Sequence, residues 1–489
     1  MDIYINDEAF VFELKAYLKV FYPTEPLNFT SDSEKAFDYA IQIEGSFLGV
    51  AFYAAGKKAY ELHYDQAQLF AMNLPEEPIA RRKLVKNLLK TMIYKIELNK
   101  GTTPKQPWGI LTGIRPTKVL LNLLEKTDYN IEQVRTILKS DYKIEDHKID
   151  LMLEIASHEA AILKQNNSDE ISLYVGIPFC PTKCLYCSFT SFPIEKWKGF
   201  MTPYLEALNK ELSFVADEMI GQKKLRSVYI GGGTPTSLNA NQLDALLKAI
   251  HSKIDLQHLQ EFTVEAGRPD TITREKLQVL KDYGVHRISI NPQTMHDQTL
   301  KTIGRNHTTK DLVMAYETAR TIGFETINMD IIIGLPGETT EHVRQTMSQI
   351  KELAPENLTV HVMAVKKGSD LMEHLSEYAL ETAQTIEEML EITSDGARKM
   401  GLKPYYLYRQ KHMVGNFENV GYAKEGHECI YNIEIIEERQ TIIAIGAGAM
   451  TKVVTGPKVE RIENIKDLPR YITRIDEMIE RKRVFKNFS

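Results

Sequence analysis

From residue 173 to residue 362 the chain alternates short apolar, β-prone runs with segments of helical period, and few architectures accommodate that rhythm. The runs fall at 173–177, 227–230, 262–265, 287–291, 327–333 and 358–362. Helix-period stretches at 203–219, 242–250, 273–283, 309–322 and 341–353 separate them. Strand–helix repetition at this spacing predicts an α/β fold, a parallel sheet joined by right-handed crossovers. Six units suit a partial (β/α)6 barrel. In such sheets ligands collect beyond the carboxyl ends of the strands, so the residues that follow each run are where chemistry is expected.

The rest of the chain reads differently. At 489 residues it exceeds the roughly 150 expected of one domain, so appended domains are predicted. Residues 1–165 form an expected α+β domain. A period-2 stretch at 47–64, interrupted at Ala55-Gly56-Lys57, predicts a hairpin, and helical periods follow at 81–98 and 117–125. The dense segment WGILTGIRPTK, 108–118, either binds an anion or fixes a helix start through Pro116. Residues 166–365 hold the barrel. Residues 366–489 form an α/β extension with a helix at 382–400, a β-rich stretch at 441–454 and a charged terminal helix.

Composition excludes several classes. With 43% hydrophobic residues the chain can build a core, and 60 Lys and Arg against 66 Asp and Glu leave a formal charge of -6. Nothing in that balance points to nucleic acid. No run of 18 apolar residues predicts a membrane span, and the opening MDIYINDEAF lacks the basic and apolar regions of a secretory signal. A cytoplasmic location is expected.

Three of the four cysteines, Cys180, Cys184 and Cys187, fall within eight positions as Cys-x3-Cys-x2-Cys, directly after the first barrel strand and Pro178. Four cysteines are too few for a disulfide scaffold, and thiolates this close in a reducing compartment share a metal. Three ligands leave one coordination position open for chemistry. A structural zinc site would want a second cysteine pair, and none is present. Cys429 stands alone and reads as a small buried hydrophobe.

Other strand ends carry polar groups. Gly231-Gly-Gly-Thr-Pro-Thr236 follows the second run, where glycines permit close backbone approach to a ligand or merely a tight turn. Glu265 and Gln293 follow the third and fourth runs. Asp330 lies inside an otherwise apolar run, a placement that demands either a functional site or a structural ion pair. Arg305 is the expected cation for these carboxylates or for those of a ligand.

The cysteine spacing, with Tyr186 just before the third thiol, resembles the signature of the radical S-adenosylmethionine (SAM) superfamily. The ordered set Tyr174-Val-Gly-Ile-Pro-Phe-Cys180, GGGTPT, Gln293, Gly304-Arg305, and Asp330 before Gly334-Leu-Pro-Gly337 resembles the oxygen-independent coproporphyrinogen III oxidase family within it. The N-terminal domain and TGIRPTK look most like the HemZ branch. The resemblance implies that Cys180, Cys184 and Cys187 bind a 4Fe-4S cluster whose fourth iron is chelated by SAM. It implies further SAM contacts by Gly232, Gly233, Thr234, Glu265, Gln293, Arg305 and Asp330, with Tyr186 near the adenine and Tyr174 as the catalytic-site residue packed against SAM or substrate. Two positions depart from the family pattern. Gly176 stands where established oxidases carry His, and Phe189 where they often carry another Cys.

The implied reaction is oxidative decarboxylation. A reduced cluster splits SAM to a 5′-deoxyadenosyl radical, which takes a β-hydrogen from a propionate of coproporphyrinogen III. Loss of CO2 and of one more electron leaves a vinyl group, and two turnovers give protoporphyrinogen IX. A low-potential donor of flavodoxin or ferredoxin type is implied as partner. Arg268, Lys366 and Arg409 are the cations considered for the substrate carboxylates. Two competing readings share the scaffold: a haem carrier using His427, Tyr431 and Tyr408, and a radical SAM enzyme acting on haem or another tetrapyrrole.

Overall fold

The structure, a computed structural model, describes residues 1–23, 25–101, 106–167, 169–189, 191–366, 368–410, 413–456 and 458–484. It divides into two compact units. The first comprises Met1–Leu153, Thr382–Glu387 and Arg409–Glu418, and the second Glu154–Glu381, Glu388–Tyr408 and Asn419–Ser489.

The first unit is built on a five-stranded sheet: β1 (Asp2–Ile5), β2 (Asn28–Thr30), β3 (Tyr39–Glu44), β4 (Phe47–Ala54) and β5 (Lys57–Tyr64), in the order β2-β1-β3-β4-β5. The 47–64 alternation forms the expected antiparallel hairpin, and its turn residues Ala55 and Gly56 both have positive φ, as a two-residue hairpin turn with right-handed twist requires. Helices Val11–Phe21 and Pro78–Lys100 supply the opposing apolar face. In the second helix Val85, Leu89, Met92, Ile93 and Ile96 are buried, the three- and four-residue spacing that places side chains on one face. Glu77 caps its N-terminus, Pro78 opens it and left-handed Gly101 ends it.

The WGILTGIRPTK segment is a structural knot in this unit. Trp108 is fully buried, and its Nε1 donates to Glu418 Oε2 at 2.7 Å. Lys148 Nζ donates to the other oxygen of Glu418 at 2.5 Å, and the Arg409 guanidinium lies 5.2 Å from the Trp108 ring while donating to the Leu111 carbonyl at 2.6 Å. Gly109 has φ +52, and a Cβ there would meet the Tyr142 carbonyl at 2.2 Å. Pro116 then opens the helix Pro116–Lys126, the helix-start alternative. Arg409, considered above for substrate carboxylates, is spent on this knot.

The second unit carries the barrel strands β6 (Glu170–Ile177), β7 (Lys224–Gly232), β8 (Glu261–Glu265), β9 (Arg287–Ser289), β10 (Thr326–Ile333) and β11 (Asn357–Val362). They are mutually parallel and adjacent in chain order. The crossover helices are Met201–Phe214, Ala240–Lys253, Arg274–Asp282, Thr309–Ile322 and Thr340–Leu353. This is the expected partial (β/α)6 barrel. The extension lengthens the sheet at both edges. Strand β14 (Ile442–Ile445) pairs parallel to β6, and β15 (Met450–Thr455) and β16 (Lys458–Glu463) follow antiparallel. At the other edge β13 (Asn419–Ala423) pairs antiparallel to β11, and β12 (Lys403–Tyr408) pairs with β13. The terminal helix Ile475–Arg483 is anchored by Lys482, buried against Glu211 at 2.7 Å. Among the described residues no helix is long and apolar enough to cross a membrane.

Removing one partner of a buried ion pair strands the other charge and costs about 3–5 kcal/mol. Glu418→Ala is therefore expected to lower the unfolding free energy by that amount, measured by calorimetry, because Lys148 and the Trp108 N–H both lose their acceptor. A change below about 1 kcal/mol, the worth of an exposed pair, would show that the knot is not what holds the segment.

Candidate functional site

The cysteine loop hangs from the carboxyl end of β6, where Pro178 ends the ladder. It is fastened from two sides by backbone bonds. Gly233 N–H donates to the Ile177 carbonyl at 2.8 Å and Thr234 N–H to the Phe179 carbonyl at 2.7 Å, so the glycine loop after β7 lies directly on the first thiol's segment. From the other side Leu185 N–H donates to the Ile303 carbonyl at 3.1 Å, and the Thr182 hydroxyl to the Gly304 carbonyl at 2.9 Å. A Cβ at Gly233 would stand 2.7 Å from the Phe179 carbonyl and 3.0 Å from Cys180 Sγ. Close approach is therefore what Gly233 provides.

Each thiol has its own electrostatic neighbour. The Thr234 hydroxyl donates to Cys180 Sγ at 3.5 Å, and Arg268 Nη1 donates to Cys184 Sγ at 3.4 Å. The charge of Lys366, whose ammonium sits 5.3 Å from the Phe189 ring, acts on Cys187. Burial pushes the Cys180 thiol up to about 11, and the other two thiols add to the rise. Arg268 is 3% exposed, and Asp270 accepts from its Nε and Nη2 at 2.9 Å each. It serves the cysteine loop and not an open pocket, which removes a second of the cations considered for substrate. Cys429 is fully buried, its Sγ 3.4 Å from Glu261 Oε1 and apart from the three thiols.

The interior-facing side chains of the strands are polar, at alternate positions. Tyr174, Tyr229 and Tyr431 form a stack, with Tyr229 and Tyr431 centroids 4.3 Å apart and Tyr174 at 6.2 and 5.9 Å from them. The Tyr229 hydroxyl donates to Glu265 Oε1 at 2.7 Å, and Gly232 N–H donates to the other oxygen at 3.2 Å. Tyr174, Gly232, Gly233, Thr234 and Glu265 thus share one wall with Cys180.

Tyr186, Gln293, Arg305 and Asp330 form the opposite wall. The Tyr186 hydroxyl donates to Gln293 Oε1 at 3.0 Å and accepts from Arg305 Nη2 at 3.3 Å. Arg305 Nη1 donates to the carbonyls of Gly267 and Asn291, both at 3.0 Å. The guanidinium therefore meets carbonyls and a phenol where carboxylates were expected, and its buried Nε finds no partner among the described residues. Gln293 has φ +65, a strained conformation for this residue, and is held in it by bonds to both neighbours along β10: its N–H donates to the Asp330 carbonyl and its carbonyl accepts from Ile332 N–H, each at 2.9 Å. Asp330 accepts from Asn291 Nδ2 at 2.7 Å and Asn328 Nδ2 at 2.8 Å, with His361 Nε2 at 3.9 Å. His361 Nδ1 in turn lies 3.2 Å from the Tyr408 hydroxyl.

The two carboxyls are pushed apart. Burial lifts Glu265 to about 7, and Asp330 adds to the rise against the Tyr229 bond. Burial acts on Asp330 in the same sense, but His361, Asn328 and Thr359 together outweigh it and hold that carboxyl below its ordinary value. Sequence reasoning missed Tyr229, Asn291 and His361, and it named Arg268 for the substrate and not for the cysteine loop. The signal was present as polar residues at every second position, as in Asn328/Asp330 and Thr359/His361.

The residues proposed for haem carriage do not converge. His427 Nδ1 pairs with the Thr326 hydroxyl at 2.8 Å, and its carbonyl accepts from Arg287 and Asn357. All three partners begin their strands, at the end of the sheet opposite the cysteine loop. Tyr431 belongs to the tyrosine stack and Tyr408 to His361.

The profile of the Radical SAM superfamily matches residues 174–350. The chain is 39% identical, over 98% of its own length and 96% of the other's, to the oxygen-independent coproporphyrinogen-III oxidase-like protein HemZ of Bacillus subtilis (strain 168). It is 35% identical, over 57% of this chain and 70% of the other, to the heme chaperone HemW of the same organism. Among solved structures it is similar to coproporphyrinogen III oxidase (HemN) from Escherichia coli, with a TM-score of 0.52 and 22% identity over 65% of this chain and 72% of that one, a likeness of fold. The chain belongs to the radical SAM superfamily. Within it, the chain belongs to the family that contains HemN, HemZ and HemW, and its cofactors are those of the superfamily, a 4Fe-4S cluster and SAM.

The residues present fit these groups. Three thiols on one pinned loop offer a donor set for a cluster, and the Arg305 Nε–H, without a partner among the described residues, is a donor suited to a carboxylate. Among the described residues no three His, Cys, Asp or Glu side chains converge on a single metal position. Thiolates that each take a different iron of one cluster need not do so.

Glu265 provides a test of the site's electrostatics. With its pKa raised from 4.5 to about 7, the carboxyl stays protonated in the folded protein where the unfolded chain would ionise it. Its contribution to stability is full below pH 4.5 and lost as pH rises to about 7. Isotope-edited infrared spectroscopy at pH 6 is expected to show a protonated carboxyl band that Glu265→Gln removes. A spectrum with no such band would reject the raised pKa.

Proposed function

We propose that the chain is a radical SAM oxidoreductase of porphyrin and haem biosynthesis that converts coproporphyrinogen III propionates to vinyl groups without oxygen, giving protoporphyrinogen IX. The observation that carries this reading is the near full-length similarity to a coproporphyrinogen-III oxidase-like protein, which spans both units and not the barrel alone. In this reading Cys180, Cys184 and Cys187 hold three irons of the cluster. Gly232, Gly233, Thr234, Glu265, Gln293, Arg305 and Asp330 hold SAM, with Tyr186 near its adenine. When bound, cluster and SAM supply one-electron reduction and hydrogen-atom abstraction.

This chain's residues orient and shield. The Arg305 guanidinium, braced on two carbonyls and Tyr186, keeps one N–H for a ligand carboxylate. The tyrosine stack that includes Tyr174 lines the interior with aromatic surface, which suits a flat tetrapyrrole and excludes water from the reacting atoms. Lys366, the remaining one of the three cations, lies beside the cysteine loop with its ammonium 5.3 Å from the Phe189 ring, and it is assigned to a substrate propionate. A low-potential donor of flavodoxin or ferredoxin type and a cytoplasmic location complete the reading.

The second reading, a haem chaperone on the same scaffold, is favoured by the similarity to HemW. Against it stands the separation of His427, Tyr431 and Tyr408.

Alanine at Cys180, Cys184 or Cys187 is expected to abolish the absorbance of the reconstituted cluster, and Cys429→Ala to leave it intact. Loss of absorbance in the Cys429 variant would overturn the ligand set. Mass spectrometry of an anaerobic reaction containing reconstituted protein, dithionite, SAM and coproporphyrinogen III is expected to show stepwise loss of carboxyl carbon together with 5′-deoxyadenosine. Deoxyadenosine with unchanged porphyrinogen would leave a radical SAM enzyme and reject this substrate. Neither product, with tight haem binding, would put the chaperone reading in its place.

A further inference from the structure

We propose that Arg268 sets the reduction potential of the cluster through its contact with Cys184, acting as a positioning residue for electron transfer and not as a substrate-binding cation. The inference rests on the assignment of Cys184 as a cluster ligand. Its basis is geometric. Arg268 Nη1 lies 3.4 Å from Cys184 Sγ, Nη2 is 3.1 Å from the Thr182 hydroxyl of the same loop, and Asp270 accepts from Nε and Nη2 at 2.9 Å each. The guanidinium is 3% exposed, so water does not compete for its donors. Its fork is locked by a bidentate pair, which is the arrangement that fixes a guanidinium plane rather than merely placing a charge.

The three thiols are unequal in this respect. Cys180 receives a neutral hydroxyl, and Cys187 feels the Lys366 ammonium through space. Cys184 receives a direct charged donor. Arg305 also senses Cys184, but its Nη donors are committed to the Gly267 and Asn291 carbonyls and the Tyr186 hydroxyl, and its Nε makes no bond among the described residues.

A hydrogen bond from a cation to a ligating sulfur withdraws electron density and stabilises the more negative, reduced cluster. One electron from the donor enters the cluster and no bond is made or broken. Because a guanidinium remains protonated throughout, no proton accompanies it. Asp270 tempers the effect by offsetting part of the positive charge while holding the fork on the sulfur. The segment Gly267-Arg268-Pro269-Asp270 follows directly from Glu265 and Ala266 at the end of β8, so the strand that carries the raised carboxyl also delivers this donor to the cluster loop.

The test uses the full chain reconstituted with iron and sulfide, without SAM or substrate, titrated with dithionite and followed by electron paramagnetic resonance. Arg268→Gln is expected to lower the reduced-to-oxidised ratio at a given poise by about tenfold, equivalent to about 59 mV for one electron. Arg268→Lys, which keeps the charge and loses the fork, is expected to shift the midpoint in the same direction by less. A fully loaded Arg268→Gln protein with the wild-type midpoint overturns the proposal. If Arg268→Gln fails to load iron, Arg268→Lys decides, and an unshifted midpoint there overturns it equally. Cys184→Ala separates the two assignments. Retention of the whole cluster in that variant would fail the ligand reading itself, whereas a cluster that needs Cys184 but ignores Arg268 fails only this inference.

Discussion

The site depends on the backbone hydrogen bonds that fasten the cysteine loop before any metal is bound. A parallel strand ends with carbonyls that have lost their partners, and buried carbonyls must find donors. After β6 those donors come from the glycine loop, Gly233 to Ile177 and Thr234 to Phe179, and they can reach only because position 233 has no Cβ. The loop after the helix Asp297–Thr302 closes the other flank through Ile303 and Gly304. Here too a side chain is excluded by conformation, since Gly304 has φ +75 and a Cβ would lie 3.3 Å from the Lys183 carbonyl. Motifs far apart in the chain therefore meet for a steric reason. Ligands held on a prearranged loop pay less ordering entropy when a cluster assembles.

The barrel was legible in the sequence because its strands are short β-prone runs, apolar on at least one face and bounded by turn signals, at regular spacing between helical periods. All six runs became strands, and the helical periods between them became the crossovers. Other strands were not legible. β12 carries Pro404, and β13 carries Gly421, whose missing Cβ would stand 1.8 Å from the Tyr406 ring. Proline and glycine argue against a strand locally, yet here the glycine is what lets the two strands pack. β1 and β2 are short and join a sheet through pairing partners that a local pattern does not reveal.

Site chemistry was legible in proportion to its spacing along the chain. The three thiols announce themselves within eight residues. Arg268, by contrast, sits in an ordinary strand-end loop, and only the fold brings it to Cys184. Arg409 shows the converse error: a charged residue near an expected active site was read as substrate-facing, whereas it is buried beside Trp108. The two Nη groups of Arg409 go to the Leu111 and Asn416 carbonyls within the first unit, which makes it a structural cation there.

The polar interior is the cost of this arrangement and also its use. Strand residues that face inward carry hydroxyls, amides and carboxyls, and the hydroxyls of Thr263 and Ser289 are buried without a partner among the described residues. An apolar core would be more stable. What the polar lining provides is two carboxyls with opposite protonation preferences on opposite walls of one interior. Asp330 is kept ionised by two amides and His361, while Glu265, supported by a phenol and one backbone N–H, gains a proton near neutral pH. Had both been ionised, their mutual repulsion would have worked against the fold, and had both been neutral, the interior would carry no negative charge to meet a cationic ligand. One of each satisfies both constraints, and the difference is set mainly by neighbours on adjacent strands, with Asn328, two residues before Asp330 on the same strand, the local contributor.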